Sequence, residues 1–329
     1  MILITGGAGY IGSHMAGYLQ HKSNDFLIID NLSNSSMSNL YKLENFYKKK
    51  IKFIKVDLKN DSELDILFNS YKFDSVLHFA ALKSTEDSKN NPKSFYENNV
   101  IGSQNLINKI KKYKINNFIF SSSASVYGQP KYLPIDEEHS LIPLNPYAEG
   151  KLQVENFLRN DEYFINKCST KILRFFNPLG CYKNALIGEN HTSKSTNIMP
   201  NILDVALKRK DHLKIFGDDF QTHDGTAVRD FIHILDLVEC FYNAIEFKVK
   251  GIQIFNIGTG KGTSILDLVK IFEEVNSIKI PYKIVNRRFG DIESSYTTTE
   301  KIEKKLYWRS HFDIRKMCKD AYLYALSVK

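Results

Sequence analysis

A glycine-rich turn directly after the first apolar run constrains the fold of this chain most strongly. The run "MILI" leads into "TGGAGYIGSH", where Gly7, Gly9 and Gly12 fit G-x-G-x-x-G and Gly6, Gly9 and Gly12 fit G-x-x-G-x-x-G. Either spacing permits a tight turn and lets a diphosphate approach the backbone at the N-terminus of the next helix. A turn of this kind between a strand and a helix predicts a βαβ unit that binds a dinucleotide. The alternative is a glycine-rich turn that binds no ligand.

Short β-type runs alternate with helical stretches through the N-terminal half, which predicts an α/β fold with a doubly wound, mostly parallel Rossmann-type sheet. From about Asn177 onward loops dominate, apart from the strand-like run "GIQIFNIGTG" and a lysine-rich helical tail. We therefore predict a dinucleotide-binding domain over residues 1–176 and a smaller C-terminal lobe over 177–329. A strand near 252–258 is expected to return to the first domain. The ligand is expected in a cleft above the carboxyl ends of the strands.

Composition is that of an ordinary globular protein. The 329 residues, 43% hydrophobic and 25% charged, suffice for one large α/β unit or two domains. The sequence lacks the pattern of a signal peptide, and no run approaches the ~20 apolar residues of a membrane span. The four cysteines are scattered and show neither C-x-x-C nor zinc-ligand spacing. We therefore predict reduced thiols, no metal site and a cytoplasmic location.

The positive charge of the chain does not indicate nucleic-acid binding. The formal net charge is +8, but the lysines are spread along the sequence, and no basic run is interleaved with aromatic residues. The densest cluster, Lys48 to Lys50, is typical of a solvated helix end. A modest positive field favours a substrate that carries phosphate groups.

Polar residues follow the second, third and fourth predicted strands. Asp30 ends "FLIID", at about the interval from the glycines at which a carboxylate binds the adenosine ribose hydroxyls. Because a carboxylate there repels a 2′-phosphate, we predict NAD rather than NADP. Asp57 and Leu58 end the third strand and "HFAALK", His78 to Lys83, ends the fourth, so both can line the adenine and diphosphate groove. His78 lies in an apolar run and is assigned no role.

A tyrosine and a lysine lie four residues apart in "NPYAEGK", just after Pro146. Proline is favoured in the first turn of a helix, and residues four apart on a helix share a face, so Tyr147 and Lys151 point into the same space. An adjacent cation stabilises a phenolate, which would make Tyr147 a usable proton acceptor. Upstream, "SSSASVYG" ends the fifth strand and can supply a hydroxyl donor. Taken alone, the pair also fits the surface of an amphipathic helix.

Together these motifs resemble the extended short-chain dehydrogenase/reductase superfamily, and over nearly the full chain they resemble its UDP-galactose 4-epimerase family. The most specific segments are "IFGDDFQTHDGTAVRDFIH" and "RRFGD", which generic superfamily members lack. "YAEGK" replaces the commoner Y-G-K-S-K, and two phenylalanines depart from the family pattern, Phe175 in "RFFN" and Phe289 in "RRFGD". None of these departures removes a catalytic group. The other matching segments are "DNLS", "VDL", "HFAALK", "YENNV", "FIFSSSASVYG", "PYAEGK", "RFFNPLG" and "IGE".

The resemblance implies a role for many individual residues. It assigns catalysis to Ser123, Tyr147 and Lys151. It assigns NAD binding to Gly6, Gly9, Tyr10, Ile11, Gly12, Asp30, Asn31, Asp57, Leu58, Phe79, Ala80, Lys83, Asn98, Tyr147, Lys151 and Phe176. It assigns UDP-sugar binding in the C-terminal lobe to Ser123, Asn177, Asn197, Phe216, Arg229, Arg288, Asp291 and Ser295.

The implied reaction is inversion at C4 of a UDP-hexose through a 4-keto sugar, in a homodimer formed through a helical bundle. A 4,6-dehydratase of the same superfamily would need a second acid and base, usually an Asp-Glu pair, where this chain has Ala124 and Ser125. A net nucleotide-sugar dehydrogenase and a non-enzymatic dinucleotide sensor remain the alternatives.

Ser295 bears on the choice of sugar. Counted on from "RRFGD", it falls where family members restricted to UDP-glucose and UDP-galactose tend to have tyrosine, and broader ones a small residue. A serine leaves space for an N-acetyl group, so we expect the N-acetylated pair to be accepted too. The alternative is that Ser295 is an ordinary loop hydroxyl and Tyr296 occupies the position.

Overall fold

The computed structural model describes residues 1–189, 197–288 and 290–328 of the chain. Its longer strands coincide with short apolar and β-branched runs, because a parallel sheet covered on both faces buries such residues. In chain order the strands are β1 Ile2–Thr5, β2 Phe26–Asp30, β3 Lys52–Lys55, β4 Ser75–His78, β5 Asn117–Ser123, β6 Ser169–Phe175, β7 Asn177–Leu179, β8 Cys181–Tyr182, β9 Ile187–Gly188, β10 Leu213–Phe216, β11 Val228–His233, β12 Gly251–Ile257, β13 Gly262–Ser264, β14 Tyr282–Val285 and β15 Ser294–Ser295.

Several helices begin at a capping side chain that accepts a backbone hydrogen bond from the first turn. Asn145 accepts the Ala148 N–H at 2.9 Å, and Pro146 follows it as the first helical residue of the helix that carries Tyr147. The helices are α1 Tyr10–His21, α2 Ser38–Tyr47, α3 Asp61–Ser70, α4 Thr85–Asn90, α5 Pro92–Phe95, α6 Gly102–Lys112, α7 Pro146–Arg159, α8 Glu162–Asn166, α9 Ile198–Ala206, α10 Ile234–Glu246, α11 Ile265–Asn276, α12 Glu300–Leu306 and α13 Ile314–Ser327, with a π-helical turn at Tyr96–Ile101 and a 3₁₀ turn at Ala124–Tyr127.

The main sheet has seven strands in the order β12-β6-β5-β4-β1-β2-β3. The neighbours β1 and β2, β1 and β4, β2 and β3, and β4 and β5 run parallel. The order reverses between β1 and β4, and in open α/β sheets the ligand crevice lies beyond the carboxyl ends of the strands at such a switch point. The predicted Rossmann-type, doubly wound sheet is confirmed.

The chain divides into two units that are not continuous in sequence. Unit 1 comprises Met1–Val126, Pro143–Arg174 and Val238–Phe255, and unit 2 comprises Tyr127–Ile142, Phe175–Leu237 and Asn256–Lys329. Compared with the predicted division after residue 176, Tyr127–Ile142 belongs to unit 2 and Val238–Phe255 to unit 1. The later strand β12 forms the edge of the seven-stranded sheet beside β6.

Each unit has its own buried core. In unit 1 the core contains Leu3, Ile29, Val76 and Phe118 from the sheet, and Leu106 from α6. In unit 2 it joins side chains of α9, α11 and α13 to the apolar faces of β10 and β11. Within the described part of the chain, no helix combines the length and apolar character needed to cross a membrane.

Candidate active site

In the glycine turn after β1, the backbone lies too close to neighbouring backbone segments to leave room for side chains at Gly6 and Gly12. Gly6 has φ +67°, and a Cβ there would lie 2.5 Å from the Ala80 nitrogen. A Cβ on Gly12 would lie 2.3 Å from the Gly6 carbonyl oxygen. Gly9 donates its N–H to that carbonyl at 3.2 Å and precedes α1, whose first residues are Tyr10 and Ile11. A side chain on Gly6 or Gly12 would fill this cradle, so the turn fits a diphosphate at a helix N-terminus.

Asp30 organises the end of β2. Its carboxylate accepts the Ala8 N–H at 3.1 Å, the Leu32 N–H at 2.8 Å and the Ser35 hydroxyl at 2.8 Å. The acidic group therefore lies directly against the glycine turn. Beside it, the Asn31 amide donates to Asp57 at 3.2 Å, and Leu58 follows with 8% of its surface exposed. These four predicted cofactor residues lie at or just beyond the ends of the neighbouring strands β2 and β3. Asp57 and Leu58 were expected to end the third strand but follow it, because β3 ends at Lys55.

The loop after β4 is held by Asn99, an asparagine to which the sequence pattern assigns no role. Asn99 accepts the Leu82 N–H at 2.8 Å and donates to the Leu82 carbonyl at 2.9 Å. Asn98, its predicted neighbour, donates to the Asn99 side chain at 3.0 Å. Both asparagines belong to the π-helical turn, a type of distortion that is frequent at functional sites. The Leu82 contact spans 17 residues, so no local sequence pattern reveals it.

The same loop carries the predicted residues Phe79, Ala80 and Lys83. The Phe79 ring packs edge-on against Phe241, with 4.8 Å between ring centroids. Ala80 donates its N–H to the Thr5 hydroxyl at 3.4 Å, so it lies beside the start of the glycine turn. The Lys83 side chain is exposed at the end of the loop.

The three predicted catalytic residues lie together in unit 1. Ser123 ends β5 and hydrogen-bonds Tyr147, which lies in the first turn of α7. Lys151, one turn further along α7, donates to the Ser121 carbonyl at 2.7 Å. Its ammonium nitrogen lies 5.9 Å from the centroid of the Tyr147 ring. The side chains predicted to share one face of the helix therefore do so.

A second serine fixes the Ser123 hydroxyl. Ser125 donates both its N–H, at 3.2 Å, and its hydroxyl, at 2.9 Å, to the Ser123 Oγ. These two bonds use the lone pairs of Ser123, so its own proton remains available to donate. In the sequence, Ser125 stands out only as a residue that replaces a dehydratase acid or base.

Burial disfavours charge on both members of the Tyr/Lys pair. It raises the pKa of Tyr147 to about 12, against which the hydrogen bond from Ser123 acts in the opposite direction. It lowers the pKa of Lys151 to about 7, while the Glu155 carboxylate acts to raise it. A proton can thus be accepted by Tyr147 only when other charges stabilise the phenolate.

Unit 2 brings together most of the predicted UDP-sugar residues. Arg229 in β11 is half-buried, and its guanidinium donates to the carbonyls of Val228 at 2.8 Å and Glu293 at 3.4 Å, which carry no charge. Loss of hydration lowers the pKa of Arg229 to about 10. The nearby Arg288 acts in the same direction, and the Asp291 carboxylate acts to raise this pKa. The result is a concentrated positive site that suits a diphosphate.

Arg288 is held in a fixed orientation near this site. It pairs with Asp291 through two hydrogen bonds of 2.9 and 3.2 Å, and its guanidinium lies over the Phe216 ring, 4.7 Å from the centroid. Phe289, one of the predicted departures from the family pattern, lies outside the described residues.

Ser295 lies directly opposite Arg229, because β15 and β11 pair in parallel with Ser295 in register with Arg229. The competing residue, Tyr296, has its ring against Gly262, where an added Cβ would meet it at 3.0 Å. Asn177 in β7 donates to the Asp230 carbonyl at 2.8 Å, next to Arg229 in sequence. Ser295 and Asn177 therefore both neighbour the arginine site.

Two predicted ligand residues have a different setting. Asn197 precedes α9, and its carbonyl accepts a hydrogen bond from Asn201 at 2.8 Å. Phe176 is buried in unit 2, where its N–H donates to the Ile257 carbonyl at 2.9 Å.

The sheet order, the glycine turn at its switch point and the Ser/Tyr/Lys group at the end of β5 are the features of an extended short-chain dehydrogenase/reductase enzyme. The family model described as GDP-mannose 4,6 dehydratase matches residues 3–321. A UDP-glucose 4-epimerase of Pasteurella multocida is 42% identical over 324 residues, which cover 98% of this chain and 96% of the relative.

Solved structures give the same result. The UDP-glucose 4-epimerase of Stenotrophomonas maltophila, determined with bound NAD and formylated UDP-arabinopyranose, superposes with TM-score 0.96 at 35% identity, covering 99% of this chain and 98% of that one. The enzyme of Bifidobacterium longum, in complex with NAD+ and UDP, gives TM-score 0.95 at 36% identity, with the same coverage. The chain belongs to the UDP-glucose 4-epimerase family.

Proposed function

We propose that this protein is an NAD-dependent UDP-glucose 4-epimerase, which interconverts UDP-glucose and UDP-galactose through a 4-keto sugar. The observation that carries the proposal is the Ser123, Tyr147 and Lys151 group at the end of β5, in a chain of the epimerase family. The family model named for a dehydratase does not favour dehydration here, because Ala124 and Ser125 offer no carboxylate pair.

Bound NAD would supply the hydride acceptor for C4 of the sugar and the hydride donor for the resulting ketone. In unit 1, the glycine turn would hold the diphosphate and Asp30 the adenosine ribose, since a carboxylate accepts hydrogen bonds from hydroxyls. A carboxylate at this position repels a 2′-phosphate, which supports NAD over NADP. The other residues proposed to hold the cofactor are Tyr10, Ile11, Asn31, Asp57, Leu58, Phe79, Ala80, Lys83, Asn98, Tyr147, Lys151 and Phe176.

Tyr147 accepts the proton of the sugar 4-hydroxyl in this proposal, and returns it when the ketone is reduced on its other face. Ser123 donates a hydrogen bond to the same oxygen, because Ser125 occupies its lone pairs. Lys151, in its ammonium form, stabilises the phenolate and binds the nicotinamide ribose. Lys151 therefore both orients the cofactor and lowers the pKa of Tyr147, the proposed base.

The nucleotide part of the substrate is assigned to unit 2. Arg229 and Arg288 bind the diphosphate, because guanidinium groups offer planar, paired donors. Phe216 and Asp291 support Arg288, and Asn177, Asn197 and Ser295 complete the proposed set. Binding mainly through UDP leaves the sugar free to turn over between the two hydride transfers.

The proposal is tested by incubating the purified protein with UDP-galactose without added cofactor and identifying the product. An epimerase forms UDP-glucose using NAD that it already carries, and no NADH accumulates. A net dehydrogenase would release NADH in proportion to product, and that result would overturn the epimerase proposal.

We also propose that the enzyme accepts the N-acetylated substrate pair. Ser295 is in register with Arg229, and its side chain is much smaller than that of a tyrosine, so we expect it to leave space beside the arginine site. Ser295→Tyr should suppress activity on UDP-N-acetylgalactosamine by about tenfold or more, and should spare UDP-galactose, because even one methylene in a pocket is worth about 1–3 kcal/mol and an N-acetyl group is larger. The measurement is kcat/KM for both substrates, with Ser294→Tyr as a matched control. Equal losses on both substrates, or a wild type inactive on the acetylated sugar, would contradict the pocket assignment.

A homodimer in the cytoplasm is the expected form of the protein. Apolar side chains on the helices of unit 1 are exposed, among them Tyr96, Ile101 and Phe157, and could form a helical interface. The four cysteines are buried and form no disulfide in the described part of the chain, in keeping with reduced thiols. Light scattering of wild type and Ile101→Glu would test the dimer, since a charge in the interface should produce monomers.

A further inference from the structure

Three consecutive residues of β5 each contact one residue of α7. The three contacted residues of α7 follow one another at intervals of one helical turn. Ser123 hydrogen-bonds Tyr147, and the Ser121 carbonyl accepts the Lys151 ammonium at 2.7 Å. Between them in sequence, Ser122 donates its hydroxyl to the Glu155 carboxylate at 2.5 Å. The first two contacts belong to the proposed catalytic group. The third contact, to Glu155, has no role assigned so far.

Glu155 is also joined to Arg174 by a buried, two-pronged ion pair. The Arg174 Nε donates to Oε1 at 3.0 Å and Nη2 donates to Oε2 at 2.6 Å. The side chains of Glu155 and Arg174 are 0% and 1% exposed. Burying two charges is costly, and replacing such a pair with apolar residues of similar volume is often neutral or even stabilising. Stability alone therefore does not explain why ionised groups are placed here.

We propose that Glu155 is a positioning residue of the reaction: fixed by Arg174 and Ser122 one helical turn from Lys151, its carboxylate favours the ammonium form of Lys151, which assists Tyr147. The inference rests on the proposed function, because it assigns a task to the charge of Lys151. Glu155 itself is not expected to touch substrate or cofactor.

The surroundings of Lys151 make the charge of Glu155 important. Tyr147 and Glu155 face it from α7, His78 from β4, and the Phe120 ring lies 4.9 Å from its nitrogen on β5. His78 carries no charge near neutrality, because burial lowers its pKa to about 3. Arg174 on β6 adds a positive charge, which is paired with Glu155. Among these groups, the carboxylate is the one that favours the ammonium form.

Burial places Lys151 close to its titration midpoint at neutral pH, since its pKa is lowered to about 7. A shift of one pKa unit changes the ratio of charged to neutral lysine about tenfold. Removing the negative charge of Glu155 lowers this pKa, so less ammonium is present at a given pH. The alkaline limb of the rate profile, where Lys151 loses its proton, should then move to lower pH.

The test compares kcat against pH for UDP-galactose conversion by holoenzyme variants. Glu155→Gln should move the alkaline limb down by about one unit, and lower kcat above pH 8 by about tenfold. Because this variant leaves Arg174 buried and unpaired and could fail to fold, the double variant Glu155→Leu with Arg174→Met provides the second measurement. The alkaline limb of the double variant should also move to lower pH, but by less, because the positive charge of Arg174 is lost together with the negative charge of Glu155.

Lys171→Met is the matched control. Lys171 is another fully buried charged side chain on β6, bonded to Asn117 at 2.6 Å and to the Ser169 hydroxyl at 2.8 Å. This variant should change thermal stability and leave the pH profile in place. If folded Glu155 variants keep the wild-type profile, Glu155 is purely structural and the inference is overturned. A wild type with no epimerase activity would instead refute the proposed function.

Discussion

Replacing Tyr147 with phenylalanine removes one hydroxyl and leaves the packing of the ring intact. The side chain is 9% exposed, and its hydroxyl is paired with Ser123, a neutral hydrogen bond worth about 1 kcal/mol net. We therefore expect the variant to fold and to keep its cofactor. Loss of a general base typically costs a factor of about 10² to 10⁴ in rate, or about 3 to 5 kcal/mol of transition-state stabilisation. We expect kcat for UDP-galactose to fall by that factor.

The ionisation of Tyr147 can be followed directly. With its pKa raised to about 12 by burial, the phenol would be ionised in only about one molecule in 10⁴ to 10⁵ near neutral pH in the absence of cofactor. Binding of NAD should lower that pKa, since the positive ring favours phenolate. Because the chain has 18 tyrosines, the measurement is the difference in tyrosinate absorbance between wild type and Tyr147→Phe, with and without NAD.

A variant that turns over at a near-normal rate would show that the proton goes to another group. Identical absorbance titrations of wild type and variant, with NAD bound, would show that Tyr147 does not ionise in the accessible range. Either result would refute the assignment of Tyr147 as the base.

Two further predictions concern unit 1. Gly12→Ala should abolish NAD retention, because its Cβ would lie 2.3 Å from the Gly6 carbonyl oxygen. The control variant Gly150→Ala, whose Cβ would meet Val100 at 3.4 Å, should retain NAD. The measurement is the absorbance of the cofactor bound to each purified protein. His78 has its pKa lowered from 6.5 to about 3, so its contribution to stability is complete above pH 6.5 and is lost as the pH falls toward 3. Urea unfolding should show wild type losing about 1.4 kcal/mol per pH unit more than His78→Gln near pH 5, and parallel curves would contradict this.

Local patterns predicted much of the fold and of the cofactor side of the site. The first strand and the glycine turn are specified within a dozen residues, and Asp30 lies in the expected place because its strand directly follows α1. The four-residue spacing of Tyr147 and Lys151 on a helix is sufficient to predict that their side chains lie on the same face. The sequence predicted a doubly wound sheet but not the order of its strands, because the crossover rules of βαβ units limit the possible orders without selecting one.

Residues that act through distant partners could not be read in this way. Asn99 holds the backbone of Leu82, and nothing in "YENNV" distinguishes its task from that of Asn98. Glu155 was accessible in part, because it lies four residues after Lys151 on the same helical face. Its significance depends on Arg174, which comes from a different strand, and a buried ion pair between distant elements has no sequence signature.

Proton transfer from Tyr147 to Lys151 needs support from charges beyond those of unit 1. Moving a proton from Tyr147 to Lys151 leaves the net charge unchanged, yet the pKa values of about 12 and about 7 make this transfer unfavourable by about 7 kcal/mol before the two charges attract each other. Their attraction, at about 6 Å and an effective dielectric constant of about 20, returns about 3 kcal/mol. The remaining difference must come from other charges. The pKa of about 7 already includes the effect of the Glu155 carboxylate, without which Lys151 would be still harder to charge. The positive ring of bound NAD favours the phenolate, so the charge-separated pair is expected mainly in the holoenzyme.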